Sequence, residues 1–148
     1  MTSAEPSLSE YFTRDHRDCD SRWADVERAA EAGEGLAQVW ARFAEGLRLH
    51  LAREEEVLFP AFEEATGMKG GGPTTVMRSE HAQMRGVMDQ MGEAVQRGDA
   101  RELLDQGDTL LMLIQQHNQK EEAVLYPLAE QSLGASWAEL RSEIESRS

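Results

Sequence analysis

A motif that occurs twice limits what this chain can fold into. Its first copy reads His50-Leu51-Ala52-Arg53-Glu54-Glu55-Glu56-Val57-Leu58-Phe59-Pro60. Its second reads His117-Asn118-Gln119-Lys120-Glu121-Glu122-Ala123-Val124-Leu125-Tyr126-Pro127. Both run histidine, three residues, paired glutamates, one residue, Val-Leu, an aromatic and proline. On an α-helix, residues four apart share a face. His50 therefore points with Glu54, and His117 with Glu121, and the face continues in apolar Val57, Leu58, Val124 and Leu125. An imidazole and a carboxylate aimed into a core need a strong partner, because burying either alone is costly. A metal ion is one such partner.

The rest of the chain reads as helices around these two segments. Ser7-Leu8-Ser9-Glu10 has capping-box spacing and opens a first helix after a loose tail over residues 1–6. That helix carries Leu8, Phe12, His16, Cys19, Trp23 and Val26 at helical spacing and fades near Gly33. A second starts near Leu36 and is expected to continue, bent at Pro60, to about Ala65. The alternative is a stop before Pro60, since proline removes a helical hydrogen bond. Lys69-Gly70-Gly71-Gly72-Pro73 breaks the chain. A third helix follows from Pro73 or Thr74 to Gly98-Asp99, with Met77, His81, Met84, Met88, Met91 and Val95 on one face. The fourth runs from about Ala100 to Ser132. Ser136-Trp137-Ala138-Glu139 offers another capping box for a short helix over about 136–146.

No segment alternates as a strand does. The expectation is an all-α, up-down-up-down four-helix bundle over about 8–132, with a short C-terminal helix, in a single domain over 1–148. Its halves echo each other, with Asp15-His16 answered by Glu80-His81. A net charge of −13 argues against nucleic acid and anionic membrane surfaces. No apolar run approaches the ~18 residues of a membrane span, no signal peptide opens the chain, and the single cysteine makes no internal disulfide. The expected compartment is the cytoplasm.

There are four histidines, one per long helix, each on its apolar stripe. His16, His50, His81 and His117, with Glu54 and Glu121, make a set that can hold two metal ions. Imidazole and carboxylate without thiolate suit iron, manganese or zinc. His16 and His50 are assigned to one ion, His81 and His117 to the other, with the glutamates bridging. Asp15, Glu55, Glu80 and Glu122 read as solvated helix charges, one of them available to hydrogen-bond a ligand imidazole. Glu122 is therefore expected to be dispensable for metal retention. Asp20 reads as solvated or as a helper of His16. The methionine stripe and Cys19 read as core filling. Gly46 reads either as room for ligand entry or as close helix packing. Phe59 and Tyr126 read as packing, with a hydrogen bond from Tyr126 to bound peroxide as the functional alternative.

These residues resemble the hemerythrin-like (HHE) domains. The resemblance rests on one histidine in the first and third helices and on His-x-x-x-Glu with Leu-Phe-Pro or Leu-Tyr-Pro in the second and fourth. It spans about Leu8 to Gln131. It implies a non-haem di-iron centre with an oxo or hydroxo bridge, handling oxygen, nitric oxide or peroxide in sensing or stress response, with a redox partner. The oxygen carriers of the family use a fifth histidine, where this chain has Met77 and Arg85 one turn either side of His81. The four-histidine, two-glutamate set resembles the proteins that repair iron centres. Those usually carry an N-terminal cysteine-bearing domain, and no such stretch precedes the first helix. An iron-donating or iron-buffering role is thus the alternative to gas handling. No residue is assigned to catalysis, and turnover is left open. The Glu-x-x-His of ferritin-like enzymes is missing, since Thr13, Leu47, Arg78 and Ile114 stand three residues before the histidines. There is no His-Glu-x-x-His of a zinc protease.

Overall fold

The structure, a computed structural model, describes residues 5–147. The first helix, α1, covers Leu8–Ala32. The expected capping box is present: the Glu10 amide donates to Ser7 Oγ at 3.2 Å, and the Ser7 amide to Glu10 Oε1 at 3.1 Å. Gly33 stops the helix in a left-handed conformation at φ 74°, which glycine adopts without a Cβ penalty. The second helix, α2, spans Leu36–Arg53 and passes through a π turn, Glu54–Leu58, into α3, Phe59–Thr66. After the glycine loop comes α4, Pro73–Gln96, with proline in its first turn, where a missing N–H is harmless. The next helix, α5, runs Ala100–Lys120, capped by the Asp99 side chain. A second π turn, Glu121–Leu125, leads into α6, Tyr126–Leu133. A short 3-10 turn, Gly134–Ser136, precedes α7, Trp137–Glu145.

This is an all-α bundle of four rods, α1, α2–α3, α4 and α5–α6, with α7 laid against one end; the described residues contain no strand. None of the helices is long and apolar enough to cross a membrane.

The helix continues past Pro60 to Thr66, as expected, and it does so through a π turn. In each π turn the hydrogen bond spans five residues, from the Phe59 amide to the Glu54 carbonyl and from the Tyr126 amide to the Glu121 carbonyl. Pro60 has no N–H to carry that register on to the Glu55 carbonyl, which Arg78 Nη1 approaches at 3.5 Å. The rod widens by a residue and runs on, so the stop before Pro60 does not occur.

Two apolar layers result. One gathers Trp23, Val26, Phe43, Leu47, Met84, Met88, Met91, Leu103 and Leu110. The other gathers Leu8, Phe12, Leu58, Phe59, Phe62, Met77, Leu125, Tyr126 and Ile144. In all four rods the histidines fall between these layers, so the bundle carries one polar level between two dry ones.

Three local expectations change. Ser136 makes no side-chain cap bond. Val124 is 51% exposed whereas Val57 is 3% exposed: α7 packs on the first π turn, and among the described residues no helix packs on the second in the same way. Residues 5 and 6 of the expected tail are tied down, since Trp137 Nε1 donates to the Pro6 carbonyl at 3.0 Å and Arg141 pairs with Glu5. Its first four residues lie outside the described residues.

Candidate metal centre

The polar level contains His16 on α1, His50 on α2, His81 on α4 and His117 on α5, with Glu54 and Glu121 opening the two π turns. All six are at most 3% exposed. The structure thus brings the six residues singled out in the sequence to one place. Their inward atoms form two overlapping groups, His16, His50 and Glu121, and Glu54, His81, His117 and Glu121, each within 4.8 Å. Glu121 spans both, with Oε1 3.0 Å from His16 Nε2 and Oε2 3.2 Å from His117 Nε2. Glu54 Oε1 is 3.1 Å from His81 Nε2 and 3.5 Å from His50 Nε2. The two imidazoles of each half are neighbours: His16 and His50 have ring centres 4.8 Å apart, and so do His81 and His117.

Each outward ring nitrogen meets a carboxylate. Glu122 Oε2 lies 2.6 Å from His16 Nδ1, Asp15 Oδ2 3.2 Å from His50 Nδ1, Glu55 Oε2 2.7 Å from His81 Nδ1, and Glu80 Oε1 2.8 Å from His117 Nδ1. Each carboxylate also meets a cation borne by the same helix as its histidine: Arg17, Arg53, Arg85 and Lys120 respectively. The contacts close a circle. Every rod lends an acid to the histidine of the next rod around the bundle. A carboxylate on Nδ1 fixes the ring's orientation and tautomer, leaving Nε2 to bind a metal. Burial works to raise the Asp15, Glu55 and Glu80 carboxyls, but the histidine and cation contacts outweigh it and hold all three below the usual range.

The inner groups are held far from their ordinary protonation. Burial, then the adjacent Glu54 charge, pushes Glu121 well above the carboxylate range. Burial opposes charge on Glu54 too, but His50, Glu121, His117 and His81 around it keep it well below. For His117, burial is outweighed by Glu121 and Glu54, and its pKa rises to about 10. Burial and the His50 charge lower His16 to about 4. Among the described residues, five buried side-chain atoms lack a hydrogen-bond partner, and three of them, His50 Nε2, Glu54 Oε1 and Glu121 Oε2, meet here. Buried polar atoms are normally satisfied. Nitrogen and oxygen donors converging on one point with their central atoms unpartnered fit cations of the iron, manganese or zinc type.

The sequence reading missed two things. It expected one helper among the outer acids, and all four serve. The signal was present: an acid stands next to every ligand candidate on the first and third helices, and both motifs carry paired glutamates. It also took Tyr126 as packing, whereas the hydroxyl of Tyr126 lies inside the cluster, donating to Glu54 Oε2 at 2.6 Å. Other assignments settle as core or surface. Cys19 is buried in the apolar layer with its thiol pushed up to about 12 by burial. Asp20 lies at the surface, 3.8 Å from Arg17. Gly46 is overlain by the Arg22 side chain, so it opens no ligand entry.

The family described as hemerythrin HHE cation binding domain matches residues 7–129. The chain is similar to the iron-sulfur cluster repair protein YtfE of Cronobacter sakazakii, 43% identical over 47 residues, 32% of this chain and 21% of that protein. It is also similar to proteins of that name from Enterobacter sp., 38% identical over 52 residues, covering 35% and 24%, and from Salmonella paratyphi B, 36% over 61 residues, covering 41% and 24%. The matches thus span under a quarter of the length of these relatives. No solved structure matches the chain.

Proposed function

Because the chain belongs to the hemerythrin HHE cation binding domain family, we propose that His16, His50, His81, His117, Glu54 and Glu121 hold two iron ions, and that the protein serves the repair of iron centres by buffering or donating iron. The observation that carries the metal assignment is the trio of unpartnered buried atoms at the centre of the six donors. The role draws on the relatives, whose name is iron-sulfur cluster repair protein; they favour iron handling over gas sensing. The ions would supply Lewis acidity and one-electron chemistry. The protein's own part is to aim four Nε2 atoms inward through the outer carboxylates and to keep the centre dry between two apolar layers. Both inner glutamates open π turns, which are frequent at functional sites in helices.

The test begins with iron content after anaerobic loading, about two per chain for this donor set. Loaded protein is then mixed with a mild chelator and, separately, with an iron-sulfur protein stripped of iron. Transfer to the stripped protein supports donation. Iron that stays put under both challenges sinks it.

One observation favours a second reading, the handling of oxygen, nitric oxide or peroxide with a redox partner. The six donors are buried under both apolar layers, and without opening of the bundle such a centre admits only small molecules. Retained iron whose visible spectrum responds to nitric oxide or peroxide selects this reading.

A further inference from the structure

Tyr126 follows the second π turn, and its side chain is fully buried. Its hydroxyl oxygen lies 2.6 Å from Glu54 Oε2, 2.9 Å from Glu121 Oε1 and 3.1 Å from His16 Nε2. These are three residues of the proposed ligand set. A phenol has one proton to donate, yet three electron-rich atoms converge on this oxygen. A cation among them relieves that crowding. The distances also have the right size. Donors bound to one first-row ion at about 2.0–2.2 Å stand roughly 3 Å apart in neighbouring positions.

The other half of the bundle provides the contrast. Phe59 occupies the equivalent place after the first π turn, with its ring centre 5.4 Å from that of His81. It carries no donor atom. The two halves are otherwise alike in the inner histidine pair, the spanning glutamates and the outer acids. The level is therefore matched in its histidines, inner glutamates and outer acids, and differs in this residue, a phenol on the His16 side against a phenyl on the His81 side.

From this geometry, and resting on the di-iron reading above, we infer that Tyr126 is a further ligand, binding through its phenol oxygen the ferric ion held by His16 and His50. The O–H bond breaks as the oxygen–iron bond forms. Glu54 Oε2, which already receives the hydroxyl, is the first acceptor of the proton, and metal binding releases it to solvent. The iron keeps its oxidation state in this step. A bound cation inverts the ordinary preference of a buried phenol to stay neutral.

The chain has two tyrosines, and Tyr11 lies against Trp137, with ring centres 5.5 Å apart. Any tyrosinate–iron signal is thus assignable to Tyr126. The experiment is resonance Raman spectroscopy of the iron-loaded, air-oxidised protein, with iron content measured on the same sample. The expected result is a set of iron-bound tyrosinate ring modes that shift when the protein is made with ring-deuterated tyrosine. Tyr126→Phe is expected to retain iron and helical circular dichroism while losing these modes. A protein that binds iron without tyrosinate modes overturns the inference and leaves the di-iron reading standing. A protein that binds no iron overturns both. If Tyr126→Phe fails to fold, the deuterium shift in the unsubstituted protein still decides.

Discussion

Glu122 Oε2 lies 2.6 Å from His16 Nδ1, joining the fourth rod to the first across the last seam of the bundle. Arg17, next to His16, holds the other oxygen of the same carboxylate at 3.0 Å. The pairing makes a residue that reads as a surface charge into the support of a proposed ligand.

Glu122→Ala is accordingly expected to weaken iron binding by about 10–100-fold, the usual cost of losing a partner behind a ligating histidine. His117→Ala and Glu121→Ala are expected to lose much of the iron outright. Competition against a chelator of known affinity measures all three. Glu122→Ala binding as tightly as the unsubstituted protein would restore the solvated reading of that residue.

Metal uptake should release protons. In the metal-free protein the Glu121 and Glu54 carboxylates outweigh burial and raise His117 to about 10, so this imidazole carries a proton at neutral pH that a metal must displace. Apparent affinity then rises with pH, by about tenfold per unit for each proton displaced. Titration calorimetry in buffers of different ionisation enthalpy counts the protons. A count of zero contradicts the assignment of His117 as a ligand.

The metal-free protein also has an acid weakness at His16. Burial and the His50 charge depress its pKa from the usual 6.5 to about 4. Between those values the unfolded chain binds a proton that the folded chain refuses, so this residue lowers stability as pH falls from 6.5 towards 4. Denaturant melts of metal-free protein across that window are expected to show the loss, and His16→Gln to flatten it.

Two glycines should behave oppositely when changed to alanine. A Cβ on Gly107 would lie 2.5 Å from Trp23 Cζ2 and Cη2, deep between α1 and α5. Gly107→Ala is expected to cost about 1–3 kcal/mol by overpacking. A Cβ on Gly46 meets only the end of the Arg22 side chain, which can swing aside. Gly46→Ala is expected to be neutral or to gain up to about 1 kcal/mol from the stiffer backbone. Thermal melts compare them, and a strongly destabilised Gly46→Ala would show that the Arg22 side chain cannot yield.

A clamp beside the glycine loop offers a further check. Thr74 Oγ1 donates to Glu63 Oε2 at 2.6 Å, and Arg78 reaches Glu63 Oε1 at 3.2 Å. Burial works to raise Glu63, but these two contacts prevail and hold it below the usual value. Its stabilisation is therefore present above the ordinary carboxylate range and lost as pH falls through the depressed value. Thr74→Val is expected to cost about 1–3 kcal/mol, since it leaves a buried carboxylate oxygen short of a donor. Equal melting of variant and parent would remove the clamp from the account.

Much of the fold was legible because helices announce themselves locally. The capping box at Ser7 and Glu10, the Gly33 stop and the glycine loop each depend on a few adjacent residues, and each appears as read. The convergence of His16, His50, His81, His117, Glu54 and Glu121 was legible for the same reason: every one lies on an apolar stripe near the middle of its helix, and a bundle brings such stripes together. The π turns were not, because a local α-helical register cannot report a bond that skips one further residue. Val124 was misplaced for a related reason. Its spacing marks it as inward, but whether an apolar residue at that end is covered depends on where α7 comes to rest.

By itself, then, the sequence determined the helices, their order in a bundle and the types of donor atom offered at its middle, all of which follow from spacing along one rod. Only the tertiary structure decided which outer acid meets which imidazole, that Glu121 reaches both halves, and that the Tyr126 hydroxyl joins the centre while Phe59 brings none. Those relations pass between rods, and they are set by the depth and rotation at which neighbouring helices pack, which no single helix encodes.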